Sequence, residues 1–362
     1  MNSKNSFRPS YAVSPGNVLD EHREAAGLTQ AELAQRLGFS TKHINRLLGG
    51  FEPVTPETAL KLESVFGLSA AIWLGLEAKY KEYQARHAEA ASLDSEREWL
   101  KSIPHRSLAK LGWIPKGERG PDLVRSLRSF FGVGSLNYLP GVWAEVQASY
   151  RKSKAFSSHE WALLAWLAKG EKLAAAMPVD AFDGQALKAK LPAIKSLSCL
   201  PGVEFEKPLV ESCARHGIAL VFLQAPDGAR VSGATRWLDK DRAIIQLSLR
   251  YRTNDQFWFT LFHELGHVLL HGKREQFIDF ERDGVESEQE READEFAAKQ
   301  LINQAELAKF ITTGIFSTST VVGFADEQEV APGIVVGQLQ HRGVVPYNSS
   351  LNRLKDRFGF AQ

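Results

Sequence analysis

The stretch Phe259-Thr260-Leu261-Phe262-His263-Glu264-Leu265-Gly266-His267-Val268-Leu269-Leu270-His271 decides how this chain is read. It sits in a run that reads as a helix from Phe257 to His271. His263 and His267 stand four residues apart, one turn along a single helix face, with Cβ atoms about 5–6 Å apart. Two imidazoles so placed can reach one metal ion, and Glu264 beside them can hold a water and take its proton. The other faces are apolar, through Phe257, Phe259, Leu261, Phe262, Leu265, Val268, Leu269 and Leu270. A helix apolar nearly all round is buried. Buried imidazoles flanking a buried carboxylate cost several kcal/mol unless they find partners, and a zinc ion is such a partner. The competing reading is a pair of helix histidines satisfied by ordinary hydrogen bonds. Gly266 costs the helix about 1 kcal/mol against Ala, so its missing side chain predicts close packing beneath the site.

A catalytic zinc takes three protein ligands and keeps a position for water. Downstream, Ser287-Glu288-Gln289-Glu290-Arg291-Glu292-Ala293-Asp294-Glu295-Phe296-Ala297-Ala298 leads to Leu301. Ala293, Phe296, Ala297 and Leu301 mark an apolar helical stripe. Glu290 and Asp294 flank that stripe one turn apart. Glu290 is assigned as the third ligand, and Asp294 as the acceptor for the second ring N–H of a ligand histidine. Against this stands the reading of the acidic run as a solvated helix face, which is adopted for Glu288, Glu292 and Glu295. His271 lies about 12 Å along the axis from His263 at 1.5 Å per residue, too far to share one ion. It is read as a helix C-terminal residue, with Gly272 as the stop.

The motif through His271, followed by Glu290-x-Glu292-Ala293-Asp294-x-Phe296-Ala297, resembles the ImmA/IrrE family of metallopeptidases over roughly residues 200–350. The resemblance implies a zinc cofactor, with Glu290 and Asp294 in the roles just given. It also implies a small sheet packed on the metal-bearing helices, and a protein substrate, typically a repressor or antitoxin. Three apolar runs predict that sheet: Ile218–Leu223, Arg230–Trp237 and Ala243–Leu249, with turns at Pro226-Asp227-Gly228 and Asp239-Lys240-Asp241.

Residues 11–83 carry a second pattern, a run of short capped helices. Pro15 opens a helix ending near Gly27. Thr29-Gln30-Ala31-Glu32 is a capping box ahead of Leu33 and Leu37, and Gly38 ends that helix. Ser40 caps a third helix through Ile44, Leu47 and Leu48. Thr55-Pro56 starts a fourth, with Leu60, Leu62, Val65 and Phe66 as its apolar positions, and Ser69 caps a fifth past Trp73. Two short helices joined by a three-residue turn with a glycine read as helix-turn-helix. In its recognition helix, Thr41, Lys42, His43, Asn45 and Arg46 are of types that read base edges or hold phosphates. The alternative is a generic helical bundle with a polar surface. The module resembles the Xre class of DNA-binding domains, and its HigA-type antitoxin branch in particular, which implies operator DNA as a partner. From Tyr11 to Tyr80, six basic residues face eight acidic ones. A net-negative module gains little from phosphate neutralisation, so a homodimer or a basic neighbouring segment would have to compensate. Trp99–Phe130 has seven basic residues against two acidic, read either as a phosphate-contacting strip or as a solvated surface.

The chain has 362 residues, 44% of them hydrophobic, and a net charge of +1. It can bury two or three cores, and its charge steers it toward neither nucleic acid nor membrane. No apolar run reaches the ~18 residues of a membrane span, and the first residues lack a secretory pattern. Only Cys199 and Cys213 are present, which suggests a reducing, cytoplasmic setting. The expected fold is α+β and mainly helical: an all-α helix-turn-helix domain (11–83), a helical middle region (84–195) broken by Pro178 and Pro192, and a gluzincin-like metallopeptidase domain with a small β-sheet (196–362). Two functions are carried forward. One is a DNA-binding zinc endopeptidase acting on a repressor or antitoxin. The other is a transcriptional regulator or antitoxin whose metal domain binds a ligand or a partner toxin with little proteolysis.

Overall fold

The computed structural model describes residues 12–144, 160–248, 253–271, 277–280 and 287–358. The chain divides into two compact units, residues 1–97 and 98–362. The middle region does not stand alone. Its first part continues the fifth helix, and the rest groups with the C-terminal residues.

The first unit holds α1 (Pro15–Ala25), α2 (Gln30–Leu37), α3 (Thr41–Leu48), α4 (Pro56–Phe66) and α5 (Ala70–Ser95). Their starts follow local chemistry. Thr29 closes a full capping box with Glu32, while the Ser40 and Thr55 hydroxyls accept from His43 N and Thr58 N. Each satisfies a backbone donor that the first helical turn leaves open. Gly38 ends α2 with φ of 67°, in the left-handed region that suits glycine. Two expectations fail. Ser69 makes no side-chain cap; the Glu63 carboxylate accepts from Ala70 N in its place. Leu60 is 60% exposed, because the buried stripe of α4 runs only through Thr58, Ala59 and Leu62. The core gathers Leu19, Leu33, Leu37, Ile44, Leu47, Leu62 and Trp73.

The second unit is built around a four-stranded sheet in the order β1-β3-β2-β4. β1 (Ile218–Phe222) runs parallel to β3 (Arg242–Leu247), while β2 (Val231–Asp239) is antiparallel to both β3 and β4 (Phe277–Phe280). The first three strands match the apolar runs to within two residues at their described ends; Leu249 lies outside the described residues. β4 was not anticipated. The sheet is covered on both faces. Ile218, Leu220, Ala243, Ile245 and Leu247 pack on Phe257, Trp258, Leu261, Phe262 and Leu265 of the helix Asn254–Leu270. Ala219, Val221 and Ile244 pack against Ala174 of the helix Glu160–Ala175. Each such apolar side chain contributes about 1.5–3 kcal/mol on burial, so the motif helix is anchored by its apolar faces and its polar residues need add nothing to hold it.

The motif helix spans Asn254–Leu270 and ends with His271 in an extended conformation (φ −110°, ψ 166°). The proposed stop, Gly272, lies outside the described residues. At the helix start, Lys355 binds Asp255 Oδ2 at 2.5 Å and Gln340 Oε1 at 2.7 Å, which ties the C-terminal segment to the motif helix. The acidic helix spans Glu288–Leu301, with the Ser287 hydroxyl accepting from Glu290 N. Pro192 does not break its helix but lies inside Gly184–Ser196. Lys188, whose carbonyl loses its helical donor there, is exposed to water.

Candidate metal centre

The motif helix and the acidic helix cross where the ligand residues lie. Gly266 is the point of contact. A Cβ built there would meet Phe296 Cδ1 at 3.1 Å and Ala293 Cα at 3.3 Å. The missing side chain therefore lets the two backbones approach, as the sequence suggested.

This approach brings His263, His267 and Glu290 together, with one ligand atom from each within 4.8 Å of the others. His263 Nε2 lies 2.9 Å from His267 Nε2 and 3.1 Å from Glu290 Oε2. His267 Nε2 lies 3.6 Å from Glu290 Oε1. Donors about 2.0–2.2 Å from a tetrahedral zinc stand about 3.3–3.6 Å apart, so the separations observed bracket that spacing. The chemistry of the set points the same way. Two imidazole nitrogens and a carboxylate, each offering a lone pair, repel one another unless a cation or proton sits among them. The histidine side chains are only 6% and 1% exposed. Burial lowers the pKa of His267 to about 4, outweighing the opposing pull of Glu290. At neutral pH its ring is therefore uncharged and ready to coordinate. Burial raises the Glu290 carboxyl, but the two facing imidazoles outweigh it and hold the group well below the usual carboxylate range.

Asp294 lies where the sequence placed it, with Oδ1 2.9 Å from His263 Nδ1. Glu264 is fully buried beside β2. The Thr235 hydroxyl donates to Glu264 Oε2 at 2.6 Å. Gly233 leaves the room in which Oε1 sits, since a Cβ there would fall 2.1 Å from that oxygen. Sequence reasoning missed Thr235 and Gly233, which read only as strand residues. His271 does stand at the helix C-terminus and Glu292 on an exposed face, as expected, but their contacts were not foreseen. His271 Nδ1 lies 3.0 Å from His267 Nδ1, and His271 Nε2 lies 3.1 Å from Glu292 Oε2. The Phe277 ring stacks on His267 with centroids 4.1 Å apart and planes 13° apart.

In the first unit, α3 exposes Thr41, Lys42, Asn45 and Arg46 and half-buries His43, while Ile44 and Leu47 face the core. Glu52 takes one residue with each oxygen: Arg46 Nε at 2.6 Å and His43 Nδ1 at 2.5 Å. Arg46 keeps its two terminal nitrogens for other partners. In the basic segment, Lys101 and Arg125 pair with Glu98 and Asp122.

Comparison with known proteins divides the chain in the same way. The peptidase M78 family, described as IrrE N-terminal-like domain, matches residues 213–330, and a family described as helix-turn-helix domain matches residues 16–71. The uncharacterized HTH-type transcriptional regulator YddM of Escherichia coli K12 is 33% identical over 63 residues, 17% of this chain and 67% of that protein. Virulence-associated protein I of Dichelobacter nodosus is 34% identical over 70 residues, 19% of this chain and 65% of that protein. Among solved structures, an addiction module antidote protein of the HigA family from Coxiella burnetii shares 27% identity, with 25% of this chain and 96% of that chain covered and a TM-score of 0.22. Pseudomonas aeruginosa antitoxin HigA with the higBA promoter shares 25% identity over 24% of this chain and 95% of that chain, with a TM-score of 0.23.

Proposed function

For a chain that joins a helix-turn-helix domain to an IrrE-like domain of the M78 peptidase family, we propose the function of a DNA-binding, zinc-dependent endopeptidase that cleaves a regulatory protein, a repressor or antitoxin, in stress, phage or mobile-element control. The observation that carries this reading is the convergence of His263, His267 and Glu290 from two helices, with the Glu264 carboxylate, next to His263 in the chain, fixed against β2 by Thr235. His263, His267 and Glu290 would hold the zinc, which would supply Lewis acidity for polarising a carbonyl and acidifying water. Glu264 would serve as the general base that takes a proton from the attacking water and returns it to the leaving amine. The Thr235 hydroxyl, donating to Oε2, holds that carboxylate in place. Asp294 accepts from His263 Nδ1 and so keeps the Nε2 lone pair of that ring turned toward the ion. No described helix is long and apolar enough to cross a membrane.

The test is N-terminal proteomics of cells expressing the wild type or Glu264→Gln. The wild type is expected to produce a new N-terminus within a regulator. The variant should bind zinc to the same extent and produce none. Equal cleavage by the variant would overturn the mechanism.

A second reading, a transcriptional regulator or antitoxin with little proteolysis, is favoured by the exposed polar face of α3. It predicts that Arg46→Ala abolishes operator binding and that the wild type produces no new N-terminus.

A further inference from the structure

We propose that His271 and Glu292 form a second tether on the metal centre, a hydrogen-bonded line from a carboxylate through an imidazole to His267, which fixes the nitrogen that His267 turns toward the ion. This rests on the proposed metal reading of His263, His267 and Glu290. The two ligand histidines are supported differently. His263 has a carboxylate directly on its far nitrogen, with Asp294 Oδ1 2.9 Å from Nδ1. The far nitrogen of His267 meets the His271 ring instead, Nδ1 to Nδ1 at 3.0 Å, and the carboxylate stands one ring further on, with Glu292 Oε2 3.1 Å from His271 Nε2.

The two ends of this line decide where its protons are. His267 Nε2 faces the ligand cluster, 2.9 Å from His263 Nε2, and must keep a bare lone pair to coordinate. The single proton of the neutral His267 ring is then on Nδ1, and it is donated to His271 Nδ1. The proton of His271 is on Nε2 and is donated to Glu292, which as a carboxylate can only accept. The reverse arrangement fails at both ends. It would aim an N–H of His267 into the cluster, and it would set a lone pair of His271 against the Glu292 carboxylate. Glu292 therefore selects the tautomer of His267 across an intervening ring.

The surroundings hold the line in place. The His271 side chain is only 4% exposed. Its ring packs on Phe277 at 5.0 Å between centroids, the same ring that stacks on His267. The chain leaves the helix at Leu270, while His271 N still donates to His267 O at 3.2 Å. At i+4 from His267, His271 lies one turn along the same face, beside the His267 ring. Glu292 itself is half-exposed, so it can be changed with little risk to the core. The acidic helix then serves the centre at three positions: Glu290 toward the ion, Asp294 behind His263 and Glu292 behind His271.

The full-length protein tests this with His271→Phe, which keeps a ring against Phe277, and with Glu292→Leu, which leaves His271 in place. Zinc affinity is read by competition with a chromophoric chelator at pH 7.5. The His267 tautomer is read in metal-free protein by ¹⁵N NMR of histidine-labelled samples. His271→Phe is expected to weaken zinc binding about 10–100-fold, the range for loss of a ligand's supporting partner, and to move the His267 proton from Nδ1 to Nε2. Glu292→Leu is expected to move both readouts in the same direction by less, and it decides the matter should His271→Phe fail to fold. A wild type that binds no zinc sinks the metal reading while the tautomer measurement still judges the tether. Unchanged zinc affinity and an unchanged tautomer in a folded variant overturn the tether and leave the metal reading standing.

Discussion

Adding one methyl group at Gly266 is expected to loosen the metal centre while barely changing the fold. The Cβ of an alanine there would lie 3.3 Å from Ala293 Cα and 3.1 Å from Phe296 Cδ1, against an ordinary contact of 3.4–4 Å. The phenyl ring can turn aside, but the Ala293 backbone can yield only if the acidic helix moves. Restoring a mid-range contact of about 3.7 Å requires a displacement of about 0.4 Å, and metal–ligand distances tolerate about ±0.2 Å. Glu290 lies three residues before Ala293 and moves with it. Zinc affinity should therefore fall about tenfold in Gly266→Ala, and a further tenfold or more in Gly266→Val, where displacement by the branched side chain approaches 1 Å. Stability is nearly balanced. Alanine gains about 1 kcal/mol of helix propensity, while overpacking costs about 1–3 kcal/mol. The melting temperature should then drop by no more than about 8 °C at about 2–4 °C per kcal/mol. Chelator competition and calorimetry on the full chain measure both quantities. The reasoning is refuted if Gly266→Ala binds zinc as the wild type does and melts about 2–4 °C higher, because the propensity gain would then be felt without any contact between the helices.

Three other positions give separate checks. In Gly233→Ala the new Cβ would lie 2.1 Å from Glu264 Oε1, so the carboxylate must shift by more than about 1 Å and turnover should fall about 100-fold. Zinc content should stay at the wild-type level, since the atoms nearest the new Cβ all belong to the Glu264 side chain and none to a ligand, and a variant that lost zinc as well would contradict this division of roles. In Gly16→Ala the Cβ would lie 2.3 Å from Leu48 O and 2.5 Å from Leu47 O. Because both atoms are backbone, α1 must part from the end of the recognition helix, at a cost of about 1–3 kcal/mol. This is visible as an earlier melting transition of the first unit, and unchanged melting would count against the contact. Burial pushes the Cys213 thiol up to about 12 from an ordinary 9.0. Its folded-state pKa is raised, so the stabilisation is complete below pH 9 and is lost as pH rises toward 12, by up to about 4 kcal/mol at 1.36 kcal/mol per unit. Urea unfolding at pH 8 and pH 11 should show this loss in the wild type and not in Cys213→Ala, and parallel pH dependence in the two proteins would refute it.

What could be read in the chain follows from where each constraint acts. His263, Glu264 and His267 share one helix face, so their spacing alone declares them. Glu290 and Asp294 sit at helical spacing beside an apolar stripe, and the structure places them against His263. The caps at Thr29, Ser40 and Thr55 are equally local, each joining a side chain to a backbone nitrogen three residues on. Ser69 failed the same rule because the acceptor for Ala70 N comes from Glu63, in the preceding helix. β4 escaped notice because its four residues are held by pairing with β2 rather than by a periodic pattern of their own.

The residues that support the candidate centre were hidden for a shared physical reason. Thr235 meets Glu264 across 29 positions and Glu292 meets His271 across 21, so no local period links either pair. Each also has an adequate local explanation: a threonine suits a strand, and a glutamate among five acidic residues suits a solvated helix. His271 was set aside by a correct calculation that a straight helix carries it beyond the reach of the ion. The calculation concerned the ion alone; four residues on from His267, the ring lies one turn along the same face and meets the His267 ring. Ligands of a metal centre can thus be recognised where they share an element. The groups that orient them come from whichever element lies behind, and they emerge only when the close packing of that element is known. In this chain such packing is set by glycines as much as by polar residues, because Gly233 and Gly266 determine how near the sheet and the acidic helix come to the motif helix.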